Sequence, residues 1–174
     1  MKSPPLSPYG VFSGQLFQYS TNPSLIAFES SPTPLSNADL LPQCRSKCIL
    51  LGGLSDGPIP TPYTKLLEEK CHSLGWSIVQ PTLSSSYIGF GNGSLSRDTD
   101  ELARLMEYLV CHHSAERFAL VGHSTGCQNS VHFLKHASRD VVDRLKVRSL
   151  VFVDIFDWKQ GILSIESHRH FVYH

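Results

Sequence analysis

RFALVGHSTGCQNSVHFLKH, residues 117–136, is the stretch that decides the fold. Phe118–Val121 is a short apolar run of the kind a fully buried strand carries. Gly122-His123-Ser124-Thr125-Gly126 follows it in the pattern G-x-S-x-G, and Gly126–Ala137 then reads as a helix. The pentapeptide alone is a weak signal. Between a buried strand and a helix it has the context of a nucleophile elbow. The strand delivers the chain to the C-terminal edge of a sheet, and the tight turn holds the serine in a strained backbone conformation. The flanking glycines remove side chains that would collide with the neighbouring strand and helix. The helix directs its first amides and the positive end of its dipole at a developing oxyanion. A glycine-rich turn without chemistry is the plainer alternative. His123 is a poor general base for Ser124, because neighbours in such a turn project differently; it reads as a support of the pocket.

Upstream the same alternation recurs. Residues 10–19 and 24–28 read as two short strands joined by a Thr-Asn-Pro turn, a hairpin. Ser30 to Ser46, rich in Ser and Pro, reads as a surface loop. Cys48–Leu51 is a buried strand ended by Gly52-Gly53. Tyr63, Leu66, Leu67, Cys71 and Leu74 fall at helical spacing, with Pro62 suited to the first turn and Gly75 to the C-cap. Trp76–Val79 is a further strand. Leu102, Leu105, Met106, Leu109 and Val110 form one apolar helix face, and Val147–Val153 is the last apolar run. Strands alternating with helices imply right-handed crossovers and a parallel sheet covered on both sides. The expected fold is α/β: a three-layer sandwich around a mostly parallel sheet.

A chain of 174 residues suffices for one domain with a real core. Its 15 Lys and Arg balance 15 Asp and Glu, so no global field favours nucleic acid, and no basic cluster supplies a local one. No apolar run approaches the ~20 residues of a membrane span. Met1 to Pro8 has no apolar core of a secretory signal. Five cysteines without a framework spacing read as buried reduced thiols, which points to a cytoplasmic location.

Other signals read as structural. His132 and His136 stand at i, i+4, but no Glu follows the first and no third ligand is evident, so the pair reads as a solvated helix face and no metal is expected. Gly89-x-Gly91-x-Gly93 lacks the spacing and the lysine of a phosphate loop. Ser96 reads as a helix N-cap, with the acids of Arg97-Asp98-x-Asp100-Glu101 suited to the helix dipole. An acyl-transfer site takes its second oxyanion donor from the loop after an earlier strand. Here that loop is Gly52-Gly53-Leu54-Ser55-Asp56-Gly57, whose paired glycines allow a close backbone approach.

GGLSDGP at 52–58, SSYIGFGNGSLSRDTDEL at 85–102 and LVGHSTGCQNSV at 120–131 together resemble the α/β-hydrolase superfamily. More narrowly, they are similar to a domain-of-unknown-function group that includes siderophore (fusarinine C) esterases. The resemblance covers roughly residues 10 to 152, about the N-terminal half of a complete domain. It implies Ser124 as nucleophile, the Thr125 amide as one oxyanion donor and the amide of Leu54 or Gly53 as the other. It implies that Tyr87 to Gly93 forms a loop near the pocket mouth.

A complete hydrolase of this kind continues with a cap and two more strands that bear an acid and then a histidine. After Val153 this chain has about twenty residues, which read as a non-homologous, disordered tail over 154–174, with the hydrolase part ending at 153. Asp154 and Asp157 followed by His168, His170 and His174 formally preserve the order Ser…Asp…His, with Asp154 and His170 the candidate acid and base. No strand anchors that histidine. The expectation is therefore a serine hydrolase acting on a small-molecule ester without a cofactor, inactive in this truncated form. The alternative is a non-catalytic binding or regulatory isoform that keeps half of the pocket. An open sheet edge would favour self-association.

Overall fold

A computed structural model describes residues 9–32, 44–144 and 147–153, the last of these by backbone alone. The elements in chain order are strands β1 (Gly14–Thr21), β2 (Ser24–Ser30) and β3 (Ser46–Leu51), helix α1 (Thr64–Ser73), strand β4 (Trp76–Pro81), a 3₁₀ turn (Tyr87–Asn92), helix α2 (Leu95–His112), strand β5 (Arg117–His123), helices α3 (Thr125–His136) and α4 (Arg139–Arg144), and strand β6 (Val147–Val153). Among the described residues they form one sheet of order β1-β2-β4-β3-β5-β6.

Strand β3 is buried along its whole length, as an uninterrupted apolar run requires of a strand covered on both faces. Its side chains alternate between two cores. Cys48 and Leu50 join Cys71, Ile78 and Val121 beneath α1. Ile49 and Leu51 join Leu102, Leu105, Met106 and Leu109 of α2 and Phe133 of α3 on the other face. Those four α2 side chains are 1% exposed or less, so the periodic stripe is the face that packs. This is the three-layer α/β arrangement the alternation predicts.

Strands β4, β3, β5 and β6 pair in parallel, while β2 pairs antiparallel with both β1 and β4. The chain passes from β3 to β4 on one side, then returns across β3 to β5 on the other. The order therefore reverses between β3 and β5, and the loops leaving their C-terminal ends diverge to open a crevice.

Some local expectations are corrected. The N-cap of α2 is Ser94, whose hydroxyl accepts from the Arg97 N–H at 3.2 Å, and Ser96 lies inside the helix. Asp98 and Glu101 are buried rather than dipole-facing in water, because α2 turns its first turn toward the loop at Ser84 and Ser85. Leu66 and Leu74 are exposed, since α1 spans only 64–73 and seats Leu67 and Cys71 inward. Gly75, at φ 75°, takes the left-handed position that ends α1. The five cysteines are free, but only Cys48 and Cys71 are buried, and Cys111 is exposed on the outer side of α2. The short helix α4 had no clear periodicity to announce it. No helix among the described residues is long and apolar enough to cross a membrane. The centre of the Ser30–Ser46 loop lies outside the described residues.

A buried ionic cluster stands at the N-terminal end of β3. Lys47 is wholly buried and pairs with the Glu29 carboxylate, which also accepts from Ser77 Oγ at 2.6 Å and from His113 Nδ1 at 2.5 Å. Burial works to raise the Glu29 pKa, but His113, Lys47 and Ser77 outweigh it and hold the carboxyl at about 2. The folded value lies below the unfolded one, so this contribution is present in full above pH 4.5 and is lost as pH falls toward 2. Lys47→Met strands a buried carboxylate and should cost about 3–5 kcal/mol in urea denaturation at neutral pH. The double variant with Glu29→Leu should recover most of that loss; if it does not, the cost of Lys47→Met came from packing rather than from the stranded charge.

Candidate active site

The backbone of Ser124 has φ 54° and ψ −120°, far from the conformations open to an ordinary L-residue. Such a residue costs on the order of 1–3 kcal/mol and persists only where its surroundings impose it. Here the surroundings are two contacts. A Cβ on Gly122 would lie 2.6 Å from the Cys127 N, and one on Gly126 would lie 2.2 Å from the Leu51 carbonyl oxygen. The glycines of G-x-S-x-G are thus the positions where β5 and α3 touch, and where α3 settles on the end of β3. Ser124 is half-buried at the C-terminal edge of the sheet, and no residue among those described hydrogen-bonds its hydroxyl.

The loop after β3 lies directly against this turn. A Cβ on Gly53 would stand 3.0 Å from Ser124 Cβ and 3.1 Å from Asp56 Oδ2. The loop is itself strained, with Ser55 at φ 63° and the β-branched Ile59 at φ 60°. It is closed by a reciprocal pair of hydrogen bonds. The Asp56 N–H donates to the Gly53 carbonyl at 3.1 Å, and the Gly53 N–H donates to Asp56 Oδ2 at 2.7 Å. The Gly53 amide is therefore already committed to Asp56. The Leu54 amide makes no hydrogen bond among the described residues. Thr125 opens α3, so its amide points from a helix N-terminus. Three of the residues singled out in sequence, Gly53, Leu54 and Thr125, are thereby brought together around Ser124.

His123 is tied down behind the turn. Its Nδ1 lies 3.0 Å from the Tyr63 hydroxyl, and the two rings meet edge-on at 5.9 Å. Burial lowers the His123 pKa below 6.5, with Asp56 acting against that shift, and burial raises the Tyr63 phenol. With the phenol donating to Nδ1, the neutral imidazole carries its proton on Nε2; with the phenol accepting, Nδ1 carries it. The candidate acid Asp154 and bases His168, His170 and His174 lie outside the described residues.

A cavity of about 250 Å³ opens beside the turn, bounded by Gly53, Leu54, Asp56, Thr125, Asp98 and Asn129. Sequence reasoning missed Asp56, Tyr63 and Asp98 as site residues. Asp56 stood in plain view in the glycine-rich loop, but only the fold shows what its carboxylate accepts. Tyr63 had no signal beyond its place in a helical pattern. His132 hydrogen-bonds Thr99 Oγ1 at 2.8 Å and stacks on His136, so it packs against α2 rather than facing water. Among the described residues no group of three metal-binding side chains assembles.

A family model described as "Protein of unknown function (DUF1749)" matches residues 1–154. A UPF0613 protein of Schizosaccharomyces pombe is 39% identical over 129 residues, which is 70% of this chain and 39% of that protein. The fusarinine C esterase sidJ of Aspergillus fumigatus is 33% identical over 136 residues, 73% of this chain and 36% of its own length. The solved structure of the siderophore hydrolase EstB from Aspergillus fumigatus superposes with a TM-score of 0.63 at 28% identity, over 84% of this chain and 43% of that one. An α/β-hydrolase-fold protein of unknown function superposes with a TM-score of 0.62 at 19% identity, a likeness of fold alone. The chain spans about two fifths of the length of these relatives.

Two measurements check this geometry. Gly126→Ala drives a methyl group into the Leu51 carbonyl, which α3 cannot relieve without leaving the sheet. It should cost about 3 kcal/mol or more in chemical denaturation, and a loss under about 1 kcal/mol would mean that α3 is not clamped there. With the phenol as donor, Tyr63→Phe removes what favours neutral His123, so the imidazole pKa should rise in an NMR titration. An unchanged or lower value would mean that the phenol accepts rather than donates.

Proposed function

The chain belongs to the DUF1749 family, within the α/β hydrolases, and from that premise we propose that it carries the nucleophile and oxyanion half of an esterase-type serine hydrolase site. The observation that carries this reading is the strained backbone of Ser124 beside the Gly52–Leu54 loop. Strain of that kind is what a nucleophile turn imposes on its serine, and here it stands beside the loop that would hold the oxyanion.

In this reading Ser124 Oγ attacks the ester carbonyl carbon while a histidine takes its proton. The carbonyl electrons move onto oxygen, and the tetrahedral oxyanion is held by the amides of Thr125 and Leu54. Leu54 is preferred to Gly53 because the Gly53 N–H is spent on Asp56. Asp56 acts here as a positioning residue that sets the loop. The tetrahedral species collapses by breaking the bond to the alcohol oxygen, which leaves with the proton from the histidine. Water then repeats the sequence on the acyl-enzyme and releases the acid. The substrate class is a small-molecule ester, as the names of the esterase relatives suggest.

The described residues supply no base in contact with Ser124 Oγ, which supports a second reading in which the 174-residue chain binds ligands without turning them over. Loss of one triad member costs on the order of 10⁴- to 10⁶-fold in turnover. Of the remaining residues, Asp154 and His170 are the pair proposed as acid and base should the chain be active.

A fluorophosphonate probe followed by peptide mass spectrometry tests both readings. The proposal expects slow labelling confined to Ser124, absent in Ser124→Ala, with hydrolysis of p-nitrophenyl acetate near background. Labelling spread over several serines would sink the nucleophile assignment. Fast stoichiometric labelling of Ser124 would keep it and overturn the non-catalytic reading, with His170→Ala the next variant. Size-exclusion chromatography comes first, because among the described residues β6 is an outer strand of the sheet, an edge through which chains could associate.

A further inference from the structure

We propose that Gln80 is a positioning residue that grips the far end of the loop after β3 and so holds the Leu54 amide toward Ser124. The inference rests on the reading of that loop as the one that holds the oxyanion, and it names a residue that sets the loop's shape from below.

Gln80 lies near the C-terminal end of β4, paired with Phe28 of β2, and shares the face of Ile78 beneath α1. The cluster on that face is made of Cys48, Leu50, Cys71, Ile78 and Val121, so an amide there is out of keeping. Gln80 is 1% exposed, and its Nε2 has no hydrogen-bond partner among the described residues. Burying an amide is costly unless it is hydrogen-bonded, and half of this one is not.

The other half has a specific task. Gln80 Oε1 accepts the Ile59 N–H at 2.6 Å. Ile59 stands in the run Pro58-Ile59-Pro60, and neither proline has an N–H to offer, so it is the one backbone donor between Gly57 and Thr61. At φ 60° it puts a β-branched side chain in the left-handed region, and the proline after it restricts the backbone further. Such a residue persists only where its surroundings hold it.

The loop therefore has two anchors. Near Ser124, Asp56 Oδ2 accepts the Gly53 N–H, and at the far end Gln80 accepts the Ile59 N–H. Ser55, at φ 63°, is strained between them and adjoins Leu54. Tyr87 covers the middle: its N–H donates to the Asp56 carbonyl at 3.4 Å, and a Cβ on Gly57 would strike its ring. Releasing the far anchor lets Ile59 and Ser55 relax, and the Leu54 amide turns with them.

Gln80→Met tests this hold, because it keeps the length of the side chain, deletes the acceptor and removes the orphan Nε2. The sheet should lose nothing, so the urea midpoint should stay or rise. The loop should loosen: the Ile59 and Gly53 amides should exchange hydrogen about tenfold faster, with the amides of β3 and β4 unchanged. Fluorophosphonate labelling of Ser124 should slow about tenfold, because the phosphoryl oxygen meets a displaced Leu54 amide. Gln80→Glu keeps an acceptor oxygen at the same reach and should restore most of the protection and of the labelling rate. A lower urea midpoint with exchange rising across the whole sheet would make Gln80 a support of the sheet and overturn the proposal. So would unchanged loop exchange, a loosened loop with undiminished labelling, or a Gln80→Glu chain that behaves like Gln80→Met. An unmutated chain that leaves Ser124 unlabelled sinks the nucleophile reading alone, and exchange at Ile59 and Gly53 then decides the hold of Gln80.

Discussion

Two missing Cβ atoms hold this structure together. Gly122 lets α3 begin in contact with β5, and Gly126 lets it rest on the last carbonyl of β3. With any larger residue the helix would stand off, and the turn between β5 and α3 would relax toward ordinary angles. The close approach therefore imposes the φ of 54° on Ser124 and brings Gly53 against it. Packing in the interior resists small displacements strongly, so a steric constraint at two backbone positions becomes a fixed relation between two loops.

The reversal of strand order between β3 and β5 explains why those two loops are the ones that meet. Parallel strands send all their connections out at one edge, and the crevice opens where successive connections turn opposite ways. Ionisable groups are divided along the same axis. At the N-terminal end of β3, Glu29 is surrounded by Lys47, Ser77 and His113 and is fully compensated. At the C-terminal end, Asp56 and Asp98 border the cavity, the first accepting the Gly53 N–H and the second the Ser85 hydroxyl, with Arg97 and Glu101 acting on Asp98 from α2.

Asp56 binds the glycine-rich loop to the chemistry proposed for it. By accepting the Gly53 N–H it removes one candidate donor and fixes the conformation in which the next amide, Leu54, is free. Its carboxylate also lies near His123 and Tyr63, opposing the fall of one pKa and adding to the rise of the other. A single aspartate thus touches the strained turn, the loop and the residues behind both.

The sequence determined the fold class by itself. The uninterrupted apolar run CILL, the i, i+3, i+4 stripe of α2 and a serine between two glycines are local signals, written in neighbouring residues and read by counting. The same locality made Ser124, Thr125 and the Gly53–Leu54 loop legible as a group, because strand order and motif order coincide along the chain. What the sequence left open depended on distance in space. The roles of Asp98 and Glu101 looked like helix-dipole acids until α2 was seen to turn them inward toward Ser84 and Ser85. Lys47 and Glu29 gave no sign of their pairing, which joins two strands consecutive in the chain but separated by β4 in the sheet. The choice between Gly53 and Leu54 rested on one hydrogen bond within a strained loop. Tertiary structure decided these because burial and hydrogen-bond partners depend on what the rest of the chain brings near, and no periodicity records that.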